Sequence, residues 1–161
     1  MYLRIDGIPG ESTDKTHKDW IEVLSYIHSV YLPSSGSRSS GDTRTAERCD
    51  HQDFSVVKML DKASPILALL CCNGQYIGEI RLELCQATGD KNRYMEYRFS
   101  DVIITAIRPG SSGLSGGVRP LEEVSFNYSQ IEWSYTEYDP DTGLPKGDVG
   151  AKWDLETNTG S

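Results

Sequence analysis

Residues 53–85, DFSVVKMLDKASPILALLCCNGQYIGEIRLELC, read as strand, one short helix, then strand. Ser64 is placed to cap a helix, and Pro65 suits its first position, where the missing N–H costs nothing. Gly74 provides the stop, because glycine takes the left-handed C′ conformation cheaply. Between them Ile66, Leu67, Ala68, Leu69, Leu70, Cys71 and Cys72 are apolar on every side. A helix of that kind is expected to be covered on most of its surface, by sheets of its own chain or by a neighbouring subunit. On its flanks, Phe54–Leu60 and Tyr76–Ala87 carry strand patterns, with Ile80, Leu82 and Leu84 facing in and Arg81 and Glu83 facing out.

Working outward, the rest of the chain is also β-like. Leu3 and Ile5 share one face of a strand over Tyr2–Ile8. Trp20–Leu32 changes apolar phase, which predicts a β-bulge near Val23–Leu24. Tyr94–Arg108 changes phase near Ser100–Asp101, and Leu121–Tyr138 changes between Tyr128 and Ile131, where Trp133 and Tyr135 join the phase of Ile131. Gly89-Asp90-Lys91-Asn92 has hairpin-turn chemistry, Asp139–Gly143 is a turn, and Ala151–Thr157 is a short closing strand. Strands that bend and swap faces are what a small barrel or two curled, packed sheets require. The expected fold is therefore mainly β: two curled antiparallel sheets closed into a barrel, with one short flanking α-helix at about 64–73. One domain is expected over 1–161, with an extended loop at 33–51 that lacks periodicity and is long enough to be functional.

Composition narrows the function. The chain has 161 residues, 37% of them hydrophobic and 25% charged, with a net charge of −8. That surface repels phosphate backbones, so no nucleic-acid partner is expected. No stretch is long and apolar enough to predict a membrane-spanning helix, and no membrane insertion is expected. The N-terminus turns acidic too early for a signal peptide. Cys49, Cys71, Cys72 and Cys85 do not form a disulfide framework and fit a reducing cytosol.

Several chemical patterns have plainer readings. Gly113-Leu114-Ser115-Gly116-Gly117 matches G-x-S-x-G, but it sits between strands with no helix to follow, so it reads as a linker. Cys49, Asp50 and His51 could converge with His17 or His28 on zinc, but the paired short spacings of a structural site are missing, and no metal or cofactor is expected. Ser12, Asp14, His17 and Asp19 hold the chemistry of a triad in one segment, yet triads are assembled in space, and a turn in which His17 bonds Thr16 or Asp19 is the default. Glu79, Glu83, Glu96 and Asp101 alternate with Lys91, Arg81 and Arg98, as cross-strand charge pairs do, and so do not make a glycosidase pair. Trp20, Tyr26, Tyr97, Phe126 and Trp133 have the spacing of core aromatics, which argues against a sugar platform. The chain is expected not to be an enzyme.

Four segments carry a family resemblance: GESTDKTHKDWIEVLSY (10–26), DFSVVKMLDKASPILALLCCNG (53–74), SFNYSQIEWSYT (125–136) and KWDLETN (152–158). With them nearly the whole chain resembles the haemolysin-coregulated protein (Hcp) family, the tube subunit of bacterial type VI secretion. The 33–51 loop departs from the more uniformly glycine-rich loop of many relatives. The resemblance implies a barrel with a flanking helix, homohexameric rings with a wide lumen, and rings stacked into a tube. It also implies a contractile sheath, a VgrG-type spike, a baseplate and small effectors as partners. The tube would assemble in the bacterial cytoplasm and leave the cell on sheath contraction. Arg38, Asp42, Arg44, Glu47 and Arg48 are then candidates for ring-to-ring contact, their mixed signs giving register. Ser25, Ile27 and Ser29, opposite a core phase of Leu24, Tyr26 and His28, are candidates for the lumen and its cargo. The alternative reading is a monomeric β-barrel that binds a small ligand or glycan.

Overall fold

The computed structural model describes residues 1–33, 48–87, 91–110 and 119–161. Eleven strands and one helix follow in chain order. They are β1 (Tyr2–Ile5), β2 (Ile21–Ile27), β3 (Val30–Tyr31), β4 (Asp50–His51), β5 (Phe54–Met59), α1 (Ser64–Asn73), β6 (Ile77–Cys85), β7 (Arg93–Gly110), β8 (Leu121–Asn127), β9 (Gln130–Tyr138), β10 (Pro145–Asp154) and β11 (Thr159–Gly160).

Six of them close a barrel. The ladder runs β7-β6-β1-β2-β5-β8, and β8 pairs back onto β7. All these pairings are antiparallel, for example Ile5 opposite Ile80, Val56 opposite Val124 and Ile104 opposite Phe126. Alternation fills the interior: Leu3, Ile5, Ile21, Val23, Phe54, Val56, Ile80, Leu82, Phe99, Val102, Ile104, Val124 and Phe126 are all buried. Phe54 lies at the centre, its ring 4.8 Å from Phe99, 5.4 Å from Phe126 and 5.5 Å from Tyr26. The barrel is thus a packed core, not a ligand cavity.

The two anticipated phase changes in β2 and β7 are local irregularities. The β2–β5 register shifts between Val23 and Ser25. In β7, Phe99 faces in, then Val102 and Ile104 do, and Asp101 at the switch has φ 51°. That one strand serves two neighbourhoods: Met95–Ser100 pair with β9, while Ile103–Gly110 pair with β8. The third phase change is a break, not a bend. The expected strand 121–138 is two strands, and Tyr128-Ser129 carries the chain off the barrel into a wing formed by β9, β10 and β11 on the first half of β7. The closing strand is also longer and earlier than its pattern, because the glycine-rich Gly147–Gly150 segment pairs fully with β9 despite its lack of alternation.

α1 corrects two expectations. Ala63 occupies the cap position and Ser64 is the first helical residue; the Ser64 hydroxyl instead donates to Glu122 and accepts from the Asp61 backbone N–H. The Asp61 carboxylate accepts from the Ala63 N–H and so holds the helix entry from outside. The stop is as expected: Gly74 has φ 65°, and its N–H bonds the Leu70 carbonyl. The helix packs on β7 and buries Leu67 and Leu70, but Ile66 and Leu69 face solvent. A short helix on a barrel flank meets one neighbour, so among the described residues only one stripe of an all-round apolar helix is covered.

β5 brings a cation into the core. Alternation turns Lys58 inward after Phe54 and Val56, where it is fully buried. Its ammonium donates to Asp61 (2.6 Å), the Met59 carbonyl (3.1 Å) and the Ser64 hydroxyl (3.2 Å), and lies 2.7 Å from Glu122, its cross-strand partner. All three ammonium protons and the charge are compensated, as a buried lysine requires.

Candidate assembly surfaces and polar clusters

The candidate lumen residues share one exposed face. Ser25, Ile27 and Ser29 all point to solvent, with Ile27 71% exposed. Tyr26 and His28 turn the other way and stack near Phe54, at 5.5 and 5.1 Å between centroids. Leu24, expected in the core, is half exposed, because the bulge starts there and the inward phase resumes only at Tyr26. Of the candidate ring-contact residues Arg48 is exposed; Arg38, Asp42, Arg44 and Glu47 lie outside the described residues, as does the 113–117 motif.

The flanks of the 33–51 loop form a small antiparallel pair, β3 with β4, and a polar node joins it to the barrel. The Tyr128 hydroxyl lies 2.7 Å from His28 Nε2 and 3.0 Å from His51 Nδ1. One hydroxyl donates to one neutral imidazole and accepts from the other. Burial, reinforced by the neighbouring His51, lowers the His28 pKa to about 4; burial also lowers that of His51, against the pull of Asp50. Tyr31 donates to Asp50 at 2.5 Å, and the Gln52 N–H bonds the Ser29 carbonyl. Cys49, Asp50 and His51 therefore face three different partners, Tyr31 O, Tyr31 Oη and Tyr128, and do not converge on a metal.

Two further surfaces escape the alternation rules. From Pro145 to Lys152, β10 is exposed on both faces, with Val149 71% exposed; Tyr135 beside it points out, not into the core. On α1 and just beyond it, Leu69 (61%), Ile66 and Tyr76 leave an apolar flank uncovered. A single apolar residue in solvent is ordinary; the exposed Ile66 and Leu69, one turn apart on α1, make a candidate interaction surface. The signal in the sequence was the surplus of apolar residues on α1 beyond one face.

The remaining polar clusters are charge ladders and turns. Glu79 pairs with Arg81 at 3.0 Å, and Glu96 with Arg98 at 2.9 Å and with Arg93. The Ser12 hydroxyl accepts from the Asp14 N–H and does not reach His17, so no triad forms. His17 bonds Thr16 as expected, at 2.9 Å, but its ring is also fixed by Asp14 Oδ1 on Nδ1 and Glu83 Oε2 on Nε2, both at 2.9 Å. Lys91, followed by His17 and Thr16, holds the Asp14 carboxyl far below the usual carboxylate range. Among the described residues, His17, Glu83 and Cys85 bring potential metal-ligand atoms together, all within 4.8 Å.

The family model described as "Type VI secretion system effector, Hcp" matches residues 2–135. "Protein hcp1" of Pseudomonas aeruginosa is 30% identical over 159 residues, 98% of this chain and 96% of its own. The "Major exported protein" of the same organism is 26% identical over 136 residues, 78% of this chain and 74% of its own. A solved structure described as a type six secretion system protein superposes with a TM-score of 0.92 at 30% identity, over 99% of this chain and 98% of that one. With this barrel, flanking helix and sequence match, the chain belongs to the Hcp family of type VI secretion proteins.

Proposed function

We propose that this chain builds homohexameric rings that stack into the inner tube of a type VI secretion system. Membership of the Hcp family carries the tube-subunit role, a structural one, and export from the cell. The ring is supported by one observation above all: the described residues leave Pro145–Lys152 of β10 bare on both faces and an apolar flank on α1 and Tyr76. Unlike patches at different places on one subunit bind head to tail and close into a ring when the rotation closes. In this reading the 1–161 unit acts as one domain. The 33–51 loop, with Arg38, Asp42, Arg44, Glu47 and Arg48, sets register between stacked rings. The Ser25, Ile27 and Ser29 face lines the lumen, with Ile27 as the cargo contact. Assembly takes place in the cytoplasm against sheath, spike and baseplate, and contraction carries tube and small effectors outward. No catalysis is involved.

Size-exclusion chromatography with light scattering tests the ring. A species of six chains supports it. A monomer that persists at high protein concentration and low salt overturns it and favours a binding module that works through its outer surface. Ile27→Asp tests the lumen assignment separately: it is expected to release cargo from intact rings, and unchanged retention removes Ile27 from that role.

A further inference from the structure

We propose that His17, Glu83 and Cys85 form a site for a thiophilic divalent cation of the zinc class, with Asp14 holding the imidazole from behind. The site lies on the outer side of the barrel wall, between the 10–20 segment and the end of β6, and the argument for it does not use the ring.

The donor set is the first support. Imidazole nitrogen, carboxylate oxygen and thiol sulfur together suit zinc-like ions; magnesium and calcium take oxygen. The geometry is the second. His17 Nε2 lies 2.9 Å from Glu83 Oε2 and 3.8 Å from Cys85 Sγ. A tetrahedral ion with bonds of about 2.0–2.3 Å separates adjacent ligand atoms by about 3.3–3.7 Å. The two His17 edges are within a few tenths of an ångström of that spacing, and all three ligand atoms lie within 4.8 Å of one another. Glu83 and Cys85 are two apart on β6, so strand alternation points both at the same side, and the register shift between Leu84 and Cys85 sets the final aim of the thiol.

The imidazole is already held as a ligand. Tyr2 stacks on the ring at 4.1 Å with an interplanar angle of 5°, and Trp20 meets it edge-on at 5.0 Å. Nδ1 faces Asp14 Oδ1, so a neutral ring donates there and presents Nε2 to the ion, the carboxylate–histidine relay common behind bound zinc. Asp14 is itself fixed by Lys91 and by Thr16.

Charge closes as well. The Glu83 carboxylate and a Cys85 thiolate neutralise a divalent ion, Lys91 takes up the charge of Asp14, and Arg93, 3.7 Å from the second Glu83 oxygen, is balanced by Glu96. Because the ligand is the thiolate, binding releases the Cys85 proton to solvent. Three protein ligands leave the fourth position to water or to a partner group. The bound ion would tie together segments that lie 66 residues apart in sequence.

Cobalt(II) is the probe, added to the full chain after treatment with a chelator. One equivalent should produce thiolate-to-metal charge-transfer absorption, zinc should displace it, and zinc should raise the melting temperature. Cys85→Ser should abolish the absorption, while Cys71→Ser/Cys72→Ser should keep it. Asp14→Asn should weaken binding about 10- to 100-fold. Circular dichroism confirms that each variant is folded. Absorption that survives Cys85→Ser, or that disappears with Cys71 and Cys72, overturns the site. So does wild-type protein that gives no charge transfer, or an Asp14→Asn variant that binds as tightly as the parent.

Discussion

The barrel and the wing are built from the same strand, β7, yet they have opposite relations to solvent. In the barrel, inward positions alternate with outward ones and the inward ones are buried to the last few per cent. In the wing, β10 is hydrogen-bonded along its length to β9, and from Pro145 to Lys152 it is still exposed on both sides. Backbone pairing alone therefore does not bury a strand. A second layer must come from somewhere, and for Pro145–Lys152 of β10 none of the described residues supplies it. The barrel answers to folding stability, and the proposed ring would draw on the wing.

Substitutions can break this contrast. Phe54→Ala, which empties the centre of the barrel, should cost about 3–5 kcal/mol in urea unfolding. Lys58→Ala should cost about 3–5 kcal/mol by leaving Glu122 and Asp61 uncompensated. Lys58→Met with Glu122→Leu should recover most of that loss. If the single and double variants melt together, the buried pair is not what holds that end of the barrel. Acidification is next in size. The folded pKa of His28, about 4, lies below the usual value of 6.5, so the unfolded chain takes up a proton first as pH falls. Stability is therefore lost between about pH 6.5 and 4, by about 1–2 kcal/mol after allowing for solvent at the ring. His28→Phe should flatten that stretch of the pH–stability curve. Gly74→Ala, forced into φ 65°, should cost about 1 kcal/mol with little effect on association. Val149→Asp sharpens the contrast from the other side. The unfolding free energy should move by less than about 0.5 kcal/mol, while the six-chain species disappears. A ring that survives this change places the contact elsewhere.

Periodicity made the barrel legible. Leu3 and Ile5, then Ile80, Leu82 and Leu84, alternate cleanly because one face meets the core and the other meets water. The phase slips at Val23–Leu24 and Ser100–Asp101 are readable for the same reason: a bulge in β2, or the positive φ of Asp101 in β7, leaves a one-residue scar in the pattern. The break at Tyr128-Ser129 gave the same scar, since leaving one sheet for another also inverts the faces. Ser64 looked like a cap because its type and position fit, but Glu122, 58 residues away, claimed its hydroxyl. Long-range competition of that kind leaves no local trace. Tyr135 and Val149 were opaque because alternation reports two environments only when the two faces differ. The His17 cluster was hidden for a different reason: its carboxylate and thiol partners come from β6, so no spacing within the 10–20 segment announces it.

The 18-residue β7 has a mechanical consequence. It is bonded to β6 and β9 along its first half and to β8 along its second. Antiparallel hydrogen bonds lie across the strand axis, so a pull along β7 loads these ladders in shear, many bonds at once, and does not peel them one by one. Barrel and wing are in this sense spliced by a common tie, and a thrust taken up by one is delivered to the other without a hinge.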